Sequence, residues 1–345
     1  MITKVCTFQN INQADLESLL DQYRYGRYVE DKSLPLEQAR RLAFDRTWNL
    51  FSQPESKSII VYSDDGQLLG FLLFRLSNWD TEHFGYNVTV IESIMIRRLG
   101  YEQVREIADA LIKKFLSWCE TSQVRFISTR IPALDLPVIH SLEQRRFQYI
   151  ENWIYNKHDL DKLDEFNRPS YQLRLAESGD QSYMLKYSQE AFSTHRFHAD
   201  NNFNHDQAES LYRKWIQSAF DDPKQEILVL DIEDKPAAYM IYYKSDLREY
   251  FGLQYAMWKM GLLGPQSRGG GVGTNFFISL MFYHRDQGLD VIDSGLTTRN
   301  ITSLNLHTKL NFKVITTYVT FHKWLTNPNK PDIRSSTHQD INSIP

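Results

Sequence analysis

The chain runs through one order of elements twice, and that repeat limits its fold more than any single motif does. In the first half, two β-rich runs, Ser58–Ser63 and Gln67–Leu76, meet at Asp64-Asp65-Gly66, a turn that favours a hairpin. Val88–Ile96 reads as a third strand. Gln103–Cys119 reads as a helix, because Ile107, Leu111, Phe115 and Trp118 recur at helical spacing. A strand at Val124–Ser128, a helix at Leu134–Arg145 and a strand at Phe147–His158 follow. The second half opens with a strand at Tyr171–Leu175 and helices at Gln181–Phe192 and Asp206–Phe220. A hairpin then forms from Glu226–Ile232 and Pro236–Lys244, and Gln254–Leu263 is a strand. Val272–Asp286 reads as a helix stopped by Gly288. Val291–Gly295, Ile301–Leu310 and Phe312–Leu325 close the unit as strand, helix and strand. Val124 to Phe147 is 23 positions and Val291 to Phe312 is 21, a near-constant length that predicts two copies of one fold.

The expected class is α+β (mixed α/β), with a central mixed β-sheet flanked by helices in each copy. The expected division is residues 1–160, whose first 55 residues read as a polar helical extension, then 170–326. The polar Asp161–Ser170 stretch is the expected join. Residues 327–345, rich in Pro, Asn and Ser, read as a disordered tail.

Composition removes several classes. A net charge of −4 without a long basic run argues against a nucleic-acid partner. Two cysteines, Cys6 and Cys119, imply neither a disulfide framework nor a cysteine zinc site. No apolar run approaches the ~18 residues of a membrane span. The expectation is a soluble cytoplasmic protein, with a monomer and a homodimer both open.

The sharpest local feature is Met260-Gly-Leu-Leu-Gly-Pro-Gln-Ser-Arg268-Gly-Gly-Gly-Val-Gly273-Thr274. A strand ends, a glycine-rich loop turns and a helix begins. Glycines let backbone N–H groups approach a phosphate, and the helix N-terminus adds unpaired donors and partial positive charge. A Walker loop is excluded by the missing Lys-Ser/Thr ending, and a dinucleotide fingerprint by the preceding hairpin. In the first half Arg97-Arg98-Leu99-Gly100 stands at the corresponding place and keeps one glycine, so no pyrophosphate cradle is expected there.

Arg268-x-x-Gly271-x-Gly273, with Asn300 and Lys309-Leu-Asn-Phe312 downstream, resembles the signature of the GNAT superfamily of N-acetyltransferases. Asn311 replaces the family's usual glycine. Trp79–Gly85, Ala191–Asp200 and Leu211–Ile216 resemble segments of the dTDP-fucosamine acetyltransferase type, which also pairs a truncated copy with a complete one. The resemblance implies acetyl-CoA bound by Arg268, Gly269, Gly270, Gly271, Val272, Gly273, Thr274 and Asn300. It implies the backbone of Leu262 and Leu263 beside the pantetheine and thioester.

His307, seven positions after Asn300, stands where many relatives carry a tyrosine that protonates the departing thiolate, and a histidine can give a proton near neutral pH. The same resemblance makes Glu151 the candidate base, acting through water. Arg196, His198 and Asp200 fall in the loop that covers the acceptor site, where an arginine can grip a diphosphate in a bidentate manner. No convincing metal-ligand set is visible, so no metal is expected.

The resulting expectation is transfer of acetyl from acetyl-CoA to a small-molecule amine, an amino sugar that is free or nucleotide-linked, by direct attack in a ternary complex. The alternatives are an amino acid, polyamine or antibiotic as acceptor, or a non-catalytic coenzyme A sensor or scaffold.

Overall fold

A computed structural model describes residues 2–7, 11–188, 191, 192 and 194–325, with side chains from residue 11 onward. The Cys6 side chain and residues 327–345 lie outside these. In chain order the elements begin with β1 (Ile2–Thr7), α1 (Gln13–Leu20), α2 (Leu36–Phe51), β2 (Ser56–Ser63), β3 (Leu68–Leu76) and α3 (Asn78–Phe84). The first half continues with β4 (Val88–Ile96), α4 (Tyr101–Thr121), β5 (Phe126–Pro132), α5 (Leu136–Gln144) and β6 (Gln148–Asp159). A 3-10 turn at Leu160–Glu165 leads to β7 (Leu173–Leu175), α6 (Asp180–Tyr187), α7 (Arg196–Ala199), α8 (His205–Asp221), β8 (Gln225–Ile232) and β9 (Lys235–Leu247). The chain then forms α9 (Arg248–Phe251), β10 (Leu253–Leu263), α10 (Val272–Asp286), β11 (Val291–Thr297), α11 (Ile301–Lys309) and β12 (Lys313–Trp324).

The repeated order is therefore present, and the hairpin at Asp64-Asp65-Gly66 turns with Gly66 at φ +85°. Two expectations need correction. The first 55 residues are not wholly helical, because Ile2–Thr7 pairs antiparallel with β2. The helix expected over Gln181–Phe192 ends at Tyr187. The alternation Lys-Val-Cys-Thr in β1 is too short a signal to stand out beside its polar neighbours.

All twelve strands form one sheet in the order β1-β2-β3-β4-β5-β12-β6-β11-β10-β9-β8-β7. The two parallel pairs, β4–β5 and β10–β11, are the counterparts of one another. At the centre the halves trade their final strands. β12 lies antiparallel to β5 of the first half, β6 lies antiparallel to β11 of the second, and β12 and β6 pair with each other. Each half's sheet is thus completed by the other half's last strand.

The apolar spacing read from the sequence is what packs against this sheet. Ile107, Leu111 and Phe115 of α4 meet Ile59, Leu72 and Phe74 of the first half. Phe276, Leu280 and Met281 of α10 meet Leu228, Met240 and Ala256 of the second. A further cluster joins α2 and the segment before it to the second half, where Tyr28, Leu34 and Leu42 pack with Leu247, Tyr255 and Val291. That packing carries Arg27 across to β11.

Candidate active site

β10 and β11 pair only from Tyr255↔Val291 to Trp258↔Ser294, and then part. β10 bulges between Trp258 and Met260 while it stays on β9. Beyond the fork the β11-facing edge of Lys259–Leu263 meets no strand among the described residues. A cavity of about 540 Å³ opens there, large enough for the reacting ends of two substrates. Lys259, Met260, Gly261 and Ser294–Thr297 form its fork; Asn300, Ser303 and His307 of α11 close one side. Arg27, Arg130, Trp153, Tyr155, Arg196, Tyr212 and Trp215 form the other.

The glycine loop lies beyond β10. Gly269, Gly270 and Gly271 all have positive φ, at +97°, +57° and +81°, and an added Cβ at each would meet open space. Only glycine adopts three such conformations in succession at little cost. Their N–H groups have no intramolecular hydrogen bond among the described residues, and no side chain caps α10. Arg268 is exposed beside them, and Lys309 Nζ reaches Thr274 Oγ1 at 3.4 Å. Free donors, an uncapped helix of 15 residues and two cations fit a pyrophosphate. Leu262 and Leu263 are not on the cavity wall. Leu262 is buried with Met184 and Ile216, and Leu263 packs over Gly273. Asn300 both faces the cavity and caps α11, accepting from Ser303 N–H at 3.0 Å.

His307 is buried at the cavity wall, held between Ser294 and its own helix. Its Nε2 lies 3.0 Å from Ser294 Oγ and its Nδ1 2.8 Å from the Ser303 carbonyl. Burial lowers its pKa, with a smaller opposing pull from that carbonyl. Glu151 does not reach the cavity. It is fully buried on β6, with Oε1 3.4 Å from Arg130 Nη2 and from Thr320 Oγ1. Its place is behind Arg130, whose guanidinium covers Trp153 at 3.8 Å from the ring centre.

Of the three loop residues, the structure brings one to the cavity. Arg196 donates from Nη1 to Ser128 Oγ at 3.0 Å. It has no carboxylate within ion-pair distance among the described residues. Burial, reinforced by Arg130, lowers its pKa to about 10, so it stays charged at neutral pH. Asp200 faces away. It accepts from His322 Nδ1 at 2.8 Å and Trp324 Nε1 at 2.9 Å, and so pins the loop to β12. Burial alone would raise the Asp200 carboxyl, but these donors hold it at about 2. His198 lies 3.2 Å from Glu209. Together with His205 these two bring three ligand atoms within 4.8 Å of one another, a grouping not evident from their spacing.

Sequence reasoning missed Arg27, Arg130, Trp153 and Ser294. Arg27 ion-pairs with Asp293 at 3.0 Å and lies over the Tyr155 ring. A signal existed for it in the Arg/Tyr alternation of Tyr23-Arg-Tyr-Gly-Arg-Tyr28, and for Arg130 in a lone charge within an apolar strand. Gly295 is needed for the aromatic wall, because a Cβ there would stand 2.7 Å from the Trp153 indole. Around the same wall, His195 Nδ1, Arg196 Nε, Tyr212 Oη and Trp153 Nε1 are buried without a partner among the described residues. Such groups are costly unless a polar ligand or water satisfies them.

No family model matches the chain. It is 18% identical over 261 residues to the spore coat polysaccharide biosynthesis protein SpsD of Bacillus subtilis, covering 76% of this chain and 86% of that one. A GCN5-related N-acetyltransferase from Sphaerobacter thermophilus superposes with TM-score 0.59 at 12% identity, over 93% of this chain and 95% of that one. A tandem GNAT protein from the clavulanic acid biosynthesis pathway gives 0.55 at 14% identity, over 93% and 98%. The glucosamine N-acetyltransferase region of a fungal multi-domain GH3 β-N-acetylglucosaminidase gives 0.61 at 12%, over 93% of this chain and 38% of that one. The chain has the tandem fold of these GNAT structures. Among the described residues no helix is long and apolar enough to cross a membrane.

Proposed function

We propose that this protein transfers acetyl from acetyl-CoA to the amine of an amino sugar bearing an anionic group such as a nucleotide diphosphate, by direct attack in a ternary complex. The observation that carries this reading is the acceptor wall. Arg27, Arg130, Arg196 and Lys259 face the cavity, while Asp293 is the only carboxylate on it among the described residues. Arg196 in particular is charged, half-buried and without a carboxylate within ion-pair distance among the described residues. A partly desolvated guanidinium in that state gains from an anion, and a phosphate takes it in a bidentate manner.

The same wall opposes a polyamine acceptor, which would bring cations to cations. Trp153, Tyr155 and Trp215 bring aromatic surface to the wall for a sugar ring, and the unpaired polar atoms beside them offer partners to its hydroxyls. The relatives lend support, since one is named for polysaccharide biosynthesis and another for acetylating glucosamine. Acetyl-CoA would lie with its pyrophosphate on Gly269–Thr274 and its thioester at the β10–β11 fork.

The test is release of free coenzyme A thiol with a panel of free amino sugars, nucleotide-linked amino sugars, amino acids and polyamines. Fastest turnover is expected with a nucleotide-linked amino sugar. Equal or better turnover of a polyamine would remove the reading.

A further inference from the structure

The hydrogen bonds of His307 determine where its proton sits. The Ser303 carbonyl can only accept, so Nδ1, at 2.8 Å, carries the proton. In the neutral imidazole Nε2 is then a lone pair, and the Ser294 hydroxyl 3.0 Å away donates to it. The groups facing the ring are Ser294 from β11, Ser303 from α11, Trp258 from β10, Phe277 from α10 and Phe312 before β12. None carries a charge that would hold an imidazolium, and burial favours the neutral ring. At rest His307 is therefore set to receive a proton before it can return one, which differs from the standing acid expected from its place in the sequence.

Ser294 is the other half of this arrangement. It is the last residue of β11 still paired with β10, so its hydroxyl sits at the vertex of the fork and on the cavity wall. We propose that Ser294 is the catalytic contact of this enzyme and that, backed by His307, it carries the amine proton to the departing sulfur. The proposal rests on the acyltransferase reading above.

The step balances without a further reagent. The neutral amine nitrogen attacks the thioester carbonyl carbon, and the carbonyl electrons move to oxygen. The N–H proton passes to Ser294 Oγ as the Ser294 proton passes to His307 Nε2. When the C–S bond breaks, sulfur takes the electron pair and the proton returns from Nε2 through Ser294 to sulfur. Amide and thiol leave, and Ser294 and His307 end as they began. The base and the acid of the reaction are the same pair at successive moments. No carboxylate has to enter the cavity, which agrees with Glu151 lying behind Arg130.

The pH dependence separates this from the reading of His307 as a standing acid. An amino-sugar amine becomes neutral near ~8, in the range of an α-amino group. If Ser294 and neutral His307 act, kcat/KM rises to about that pH and then stays level. If imidazolium were required, the rate would fall about tenfold per pH unit beyond it, because the His307 pKa lies below its ordinary ~6.5.

The experiment is the pH profile of wild-type turnover, together with Ser294→Ala and His307→Gln at a single pH and acetyl-CoA affinity by calorimetry. A level alkaline limb is expected. Ser294→Ala should show kcat lowered about 100-fold, in the ordinary range for one acid–base group, with acetyl-CoA affinity unchanged. A falling alkaline limb, Ser294→Ala within threefold of wild type, or an acetyl adduct on Ser294 by intact mass each overturns the proposal. The wild-type profile decides even if a variant fails to fold. Absence of turnover by the wild type with every amine would instead remove the acyltransferase reading itself.

Discussion

The two halves place a loop and a helix N-terminus at the same point of the same topology, and use them in opposite ways. At the start of α4, Arg97 turns inward. Its Nε bonds the Leu68 carbonyl and its Nη2 the Ser18 hydroxyl, both at 3.0 Å, so that α1 closes over the loop. Gly100 N–H is taken by Gln103 Oε1 at 3.2 Å. At the start of α10, Arg268 turns out to solvent, and among the described residues the three glycine N–H groups have no partner and no side chain caps the helix. The first copy satisfies the Gly100 donor with its own side chain, whereas the second leaves its glycine N–H groups open among the described residues, as the proposed pyrophosphate site requires. A smaller contrast lies after the last helix of each copy, where Arg146 and Asn311 both adopt left-handed backbone, at φ +60° and +58°. Asparagine tolerates that region better than arginine.

The comparison can be broken most severely at the shared centre. A chain ending at Phe312 lacks β12, which both β5 and β6 need, so cooperative unfolding should disappear from both halves. Thermal melts followed by circular dichroism would show this, and a sharp melt of the shortened chain would refute the interdependence of the halves. The next largest effect is expected for Gly271→Val. Side chains at this φ are strained by ~1–2 kcal/mol, and the branched chain also blocks approach to the N–H groups. Acetyl-CoA binding should weaken about 100-fold, as expected for losing two charge-assisted hydrogen bonds. Gly100→Val, at φ −62°, should leave that affinity unchanged.

Arg196→Ala should cost roughly 30-fold in kcat/KM for an anionic acceptor, the low end for truncating one partner of a buried charged contact. Its effect on a neutral amino sugar should be small, and steady-state kinetics with both acceptors would reveal an equal loss if the arginine were only structural. The smallest effect is expected for Arg97→Ala. It should lower stability by ~1–3 kcal/mol through the orphaned Leu68 carbonyl, and leave acetyl-CoA affinity as it was. Urea unfolding and calorimetry would settle both parts.

The local elements were legible because each carries its own signal. α10 was read at its observed limits because an apolar run stands between a glycine loop and Gly288, and β4 because Val88–Ile96 is dense in β-branched residues. The cradle was legible for the same reason. The cationic and aromatic cavity wall was not, since Arg27, Arg130 and Trp153 meet only through contacts between segments far apart in sequence. Nor could the sequence reveal the tautomer of His307. It depends on Ser294, thirteen positions away on another element, and on a carbonyl that every residue possesses. Asp200 shows the converse error. A charged residue in a loop beside the acceptor site looks like a ligand until its partners, His322 and Trp324, are seen to occupy it.

The exchanged strands also set a timetable. Arg130 of β5 and Thr320 of β12 are neighbours across a separation of 190 residues. During synthesis the first half emerges with its β5 edge exposed, and it must wait for nearly the whole remaining chain before that edge is covered. Contacts so distant in sequence form slowly, and an unpaired strand edge invites association in the interval. Protein arrested or starved late in translation should therefore be the main source of aggregates, and a chaperone that shields sheet edges should raise the yield more than one that acts after release.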